Sequence, residues 1–207
     1  PTKEQLRAKT LEAWVELGDL NQKGGGVIGV QNLSGVQFDT IVFAERESRL
    51  WMAGSNGYAR TQSFGALEEN EADHNPVHVA IVYQEDGTIT GYRNGVPYGK
   101  PYKTGMSKFP AGNSQIIFGM RHKGGGNNFL KGKIYRAQLY ERALAPDEVA
   151  VSAGVESSFV GEQELAAALG QASRKRRKEL KGQLAALIAR EKELGIGSKM
   201  KVYTVAA

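Results

Sequence analysis

The chain has 207 residues, with 27 Lys and Arg against 22 Asp and Glu, enough for one globular domain and an appendage. It has no Cys, which excludes a disulfide framework, a thiolate zinc site, a Cys nucleophile and an iron–sulfur cluster. No stretch approaches the roughly 18 apolar residues of a membrane helix, and the start at Pro1, with no signal-peptide pattern after it, is expected to mark a fragment of a longer protein.

Charge and glycine divide the chain in the same place. Residues 1–155 carry 17 basic and 16 acidic side chains and 21 of the 26 glycines, whereas residues 156–207 carry 10 basic and 6 acidic ones. A neutral, turn-rich body is followed by a basic region poor in turns.

Residues 3–9 are charged and read as a loose or helical leader, so segment 1–9 is set apart. From Leu11 the apolar residues recur with period two in short runs bounded by Gly, Asn and Asp, the pattern of half-buried strands. Strands are predicted over 11–17, 27–31, 41–44, 50–53, 59–64, 77–83, 88–93, 115–120 and 133–140. Asp86-Gly87 and Asn94-Gly95 mark tight hairpins, because such turns need positive φ. Strands joined by tight turns must be antiparallel, since a parallel pair needs a crossover of about a dozen residues. An all-β antiparallel sandwich or jelly roll is therefore expected over 10–153. Ala145-Pro146-Asp147-Glu148 reads as a short closing helix, with Pro in its first turn and acids at the positive end of its dipole. From Glu162 to Leu194 the leucines fall at spacings of three and four, predicting a helix or helical hairpin within an arm over 154–197. Lys201–Val205, within 198–207, reads as a strand that returns to an edge of the sandwich.

Several chemical motifs fail in context. Gly24–Gly29 fits a dinucleotide fingerprint formally but opens a strand instead of a helix. Gly95–Lys100 is one residue short of a phosphate loop, and Pro101 stands where the hydroxyl is needed. His74 and His78 would share a helix face, but Pro76 and the strand beginning at Val77 separate them, which argues against zinc. The carboxylate pairs Glu12/Glu16, Glu45/Glu47 and Glu71/Asp73 have the spacing of one strand face, yet none forms a glucanase-type catalytic strand. The stretch Glu68–Asp73 reads as a solvated loop or cation-binding edge, too wet to raise a general acid's pKa. The basic run Arg174–Lys178 lacks interleaved aromatics on which bases stack, so it reads as a helix face or partner surface and not a nucleic-acid site.

Sugar recognition uses flat aromatic faces with amides and guanidiniums for hydroxyls, displayed on loops. Two glycine-rich stretches have that composition: Trp51, Asn56, Tyr58 and Arg60 in one, His122, Asn127 and Asn128 in the other. These seven are the candidate ligand residues, with the alternative that Trp51 and Tyr58 are core or half-buried strand residues.

The phrases TLEAWVEL (10–17), HVAIVYQEDGTITGYRNGVPYGKPY (78–102), IIFGMRHKGGG (116–126) and KGKIYRAQLYERALAPDEV (131–149) resemble a laminin G-like domain of the concanavalin A-like lectin/glucanase superfamily. More narrowly, FDTIVFAERESRLWMAGSNGYART (38–61), a helical insert and a VYTV strand are similar to segments of large exported bacterial proteins that also carry planctomycete-type cytochrome c domains. The resemblance implies a non-catalytic β-sandwich outside the cytoplasm that binds polysaccharide or sister domains, the helical arm offering a route to oligomers. No cofactor is evident. Calcium is common in such modules and is left open, because ligands drawn from separate loops carry no local signature.

Overall fold

A computed structural model describes residues 5–124, 129–154 and 170–193. Residues up to 159 and those from 160 onward form separate compact units.

Among the described residues the first unit has ten strands: β1 (Lys9–Leu17), β2 (Gly25–Asn32), β3 (Phe38–Phe43), β4 (Trp51–Ser55), β5 (Val77–Tyr83), β6 (Thr88–Arg93), β7 (Val96–Pro97), β8 (Tyr102–Lys103), β9 (Ser114–Phe118) and β10 (Gly132–Tyr140). All pairings are antiparallel. One sheet runs β10-β1-β5-β6-β7, with β8 also on β6, and the other runs β4-β3-β2-β9. The neighbours β1 and β10 are far apart in sequence, as a jelly roll requires.

Alternation sets the core. Leu11, Ala13, Val15 and Leu17 of β1 and Val77, Val79 and Ile81 of β5 point inward and meet Ile41, Phe43 and Trp51 of the opposing sheet. The other face of the six-stranded sheet is partly covered as well. There Ala80, Val82 and Tyr92 lie under helix α1 (Pro146–Ser152), which buries Val149 against them. Glu148 Oε2 accepts the Ala145 N–H at 2.9 Å and forks onto Arg142, satisfying a donor that the helix start leaves free. Asn94 and Gly95 take φ of 48° and 78°, the left-handed pair that closes β6 onto β7.

The expected strand over 59–64 is absent. Tyr58 adopts a left-handed φ of 55° and Arg60 turns into the interior, so the chain leaves the sheet after Ser55. Nor is the leader loose where it is described: Leu6 forms a β-bridge with Phe109, and β1 begins at a buried Lys9. In the second unit, helix α2 (Gln171–Glu193) is described, with Leu180 and Leu187 exposed. The proposed strand 201–205 lies outside the described residues. Among those residues no helix is long and apolar enough to cross a membrane.

Candidate functional site

The site grows from the period-two geometry of β3. Asp39 faces inward and Phe38 faces outward. Inside, Asp39 carries the ion pairs of two buried cations: Lys9 Nζ at 2.8 Å from Oδ2 and Arg60 Nη2 at 2.7 Å from Oδ1. Lys9 also sits over the rings of Tyr83 and Phe109. Arg60 extends the network outward by donating to the Phe38 carbonyl and, at 2.9 Å, to Asn56 Oδ1. The loop carrying Asn56 and Tyr58 is thereby tied to the core, and this offsets the cost of the left-handed Tyr58.

Outside, residues 119–124 fold back across the four-stranded sheet. Thr40 Oγ1 donates to the Arg121 carbonyl at 2.7 Å, and Gln31 Oε1 accepts the Lys123 N–H at 2.8 Å. Gly26 makes room for this crossing, since a Cβ there would collide with the Met120 carbonyl. The His122 ring stacks on Phe38 with centroids 4.3 Å apart. Arg121 pairs with Glu45 and lies over both Phe38 and Tyr58. Burial pushes the Glu45 carboxyl up, against the opposing pull of the Arg121 charge. Between Tyr58 and the 121–124 segment lies an open hollow of about 390 Å³, lined by Asn56, Tyr58, Arg121, His122 and Lys123 among others.

The predicted ligand residues therefore fall into three groups. Asn56, Tyr58 and His122, from two distant segments, meet at one hollow. Trp51 and Arg60 are buried, at 1% and 8% exposure. Trp51 packs on Phe43 and donates its indole N–H to Glu69 Oε2 at 2.8 Å, so it belongs to the core; Arg60 positions the loop from beneath. Asn127 and Asn128 lie outside the described residues. Arg121 and Lys123 escaped the sequence reading. Their signal was a run of three cation-forming residues, Arg121-His122-Lys123, next to the triple glycine.

A correction concerns one residue of the acidic stretch 68–73, expected to be a solvated loop or cation-binding edge: Glu68, Asn70 and Glu71 are exposed, but Glu69 is not. Glu69 is buried at 2% exposure. Its carboxylate accepts from Arg93 Nε and Nη2 at 2.8 Å each, from Trp51, and from the backbone amides of Asn70, Glu71 and Ala72. Burial alone would raise this carboxyl; Arg93, Trp51 and the Glu71 amide outweigh it and hold it down to about 2. A larger hollow of about 490 Å³ lies against this loop and the β6–β7 hairpin, but Arg93 and Glu71 on its wall are paired with each other.

The carboxylate pairs are likewise engaged. Glu12 bonds His78 Nε2 at 2.6 Å under α1, while His78 Nδ1 accepts the Gly95 N–H. Glu16 pairs with Lys133, Glu47 accepts from Ser63, and Asp73 pairs with His74. Among the described residues no group of three or more His, Asp and Glu stands where a metal would be held.

A laminin G family model, described as the concanavalin A-like lectin/glucanases superfamily, matches residues 3–150. The chain belongs to this superfamily. Among solved structures, domain 4 of AbnA, an extracellular GH43 arabinanase from Geobacillus stearothermophilus solved with arabinotriose, superposes with a TM-score of 0.58 at 18% identity, covering 72% of this chain and 68% of that one. The CBM40 of a Ruminococcus gnavus IT-sialidase, bound to α2,3-sialyllactose, gives 0.54 at 15% identity, covering 72% and 84%. A SAP-like pentraxin from Limulus polyphemus gives 0.48 at 17%, covering 73% and 72%. At such identities the likeness concerns the fold. No curated protein matches the sequence.

Proposed function

We propose that the laminin G-like domain is a non-catalytic carbohydrate-binding module of a larger exported bacterial protein, working outside the cytoplasm to hold its parent near polysaccharide. The observation that carries this reading is the convergence of Asn56 and Tyr58 with Arg121 and His122, from loops more than sixty residues apart, on one open hollow anchored from below by Asp39 and Arg60. An aromatic edge, amide and guanidinium donors and an accessible floor are the equipment of sugar recognition. The superposed domains solved with arabinotriose and sialyllactose supply an analogy of fold. The carboxylates favour binding over hydrolysis, because each member of the candidate pairs already has a partner. A glycan array probed with the whole chain tests the proposal. At least one glycan class should bind, and Tyr58→Ala should weaken it about tenfold; silence across the array would end the reading.

A second reading, a module that packs on sister domains or on another copy, draws on sheet edges: among the described residues β9 and β10 each have one strand neighbour, and Phe118, Phe129 and Tyr135 are exposed. Exposed Leu180 and Leu187 of α2 suit the same role. Light scattering that finds a stable oligomer, dissociated by Phe118→Lys, would support it.

A further inference from the structure

The hollow at Tyr58 is charged with one sign. Arg121, His122 and Lys123 line it beside Ser34, Asn56 and Tyr58, and no carboxylate does. Glu45, the partner of Arg121, has a side chain only 3% exposed and does not line the hollow; it offsets the charge of Arg121 and leaves that of Lys123. Arg46 comes from a third segment to lie over the Tyr58 ring, and neither it nor Lys123 forms an ion pair among the described residues.

The tyrosine itself points the same way. Guanidinium carbons of Arg46 and Arg121 stand 5.3 and 5.2 Å from its ring centroid. Cations thus already engage the π system on which a neutral pyranose would stack, and the ring serves to orient the two guanidiniums, that of Arg121 keeping its Nε on Glu45. A guanidinium offers two parallel donors, the match for a carboxylate or a sulfate. Asn56 has its oxygen committed to Arg60, which leaves the NH₂ group to donate to a hydroxyl.

We infer that this hollow takes an anionic saccharide, bearing a carboxylate or a sulfate ester, whose acid group is held by Arg121 and Lys123, with Arg46 over the Tyr58 ring adding to the positive field; the inference rests on the carbohydrate reading above. Binding is electrostatic at an exposed site, so it falls steeply with added salt.

The test is affinity electrophoresis and titration calorimetry of the whole chain against polygalacturonate and dextran sulfate, with dextran and lactose as neutral counterparts and polyphosphate as a sugar-free polyanion. The expected result is binding of at least one acidic polymer and not of the neutral sugars. Which acidic polymer binds separates carboxylate from sulfate. Lys123→Gln and Arg46→Gln, both at exposed positions, should each weaken binding about tenfold at unchanged unfolding temperature. Neutral sugars bound as tightly as acidic ones, insensitive to both variants but lost in Tyr58→Ala, would overturn the inference while leaving the carbohydrate reading in place. Polyphosphate bound as tightly as the acidic polysaccharides, and unaffected by Tyr58→Ala, would reduce the hollow to a cationic patch and overturn it. Failure of every glycan, neutral or acidic, would remove both.

Discussion

Glu69 is a residue whose loss the fold should feel directly. Its carboxylate joins Trp51 of β4, Arg93 of β6 and three consecutive amides of its own loop, so one buried charge ties both sheets to the 65–75 segment. The carboxyl drops from an ordinary 4.5 to about 2 on folding. At 1.36 kcal/mol per unit that difference corresponds to about 3 kcal/mol of stability. Because the folded value is the lower one, the contribution is complete above pH 4.5 and is lost as pH falls from 4.5 toward 2. Glu69→Gln keeps the shape and removes the charge, and its amide N–H₂ would face donors. Urea unfolding followed by tryptophan fluorescence suits the measurement, since Trp51 and Trp14 are the only tryptophans and Trp51 touches the mutated group. The variant should lose about 3 kcal/mol at pH 7, and the gap to the parent should close as pH approaches 2. A loss below about 1 kcal/mol at pH 7, or a gap independent of pH, would refute the argument.

Two further substitutions probe the supports of the hollow. Asp39→Asn leaves Lys9 and Arg60 buried without their shared anion and should cost about 3–5 kcal/mol, read from chemical denaturation. Gly26→Ala places a methyl group against the Met120 carbonyl, so segment 119–124 must lift from the sheet; hydrogen exchange at Lys123, whose amide bonds Gln31, should quicken while the β1 and β5 amides stay protected.

The strands and hairpins of this domain were legible because they are local. Alternation in Leu11–Leu17 and Val77–Tyr83 has a two-residue period, and Asp86-Gly87 and Asn94-Gly95 carry their own turn chemistry, so neighbouring residues suffice to read them. The false strand over 59–64 shows where that information stops. Its composition suits a strand, but Arg60 answers to Asp39, twenty-one residues earlier, and a buried ion pair outweighs local preference.

The division between Trp51 and Tyr58 has the same origin. Seven residues apart in one glycine-rich stretch, they look equally fit to hold a sugar. Trp51 is drawn inward by Glu69, eighteen residues on, while Tyr58 is held at the surface by guanidiniums from two other loops. Composition, periodicity and turn residues determined an antiparallel sandwich. Which aromatic faces solvent, which carboxylate is buried, and that Arg46 and Arg121 gather around one ring were decided by tertiary structure, because a charge is placed by whichever partner can compensate its loss of water, and that partner lies far along the chain.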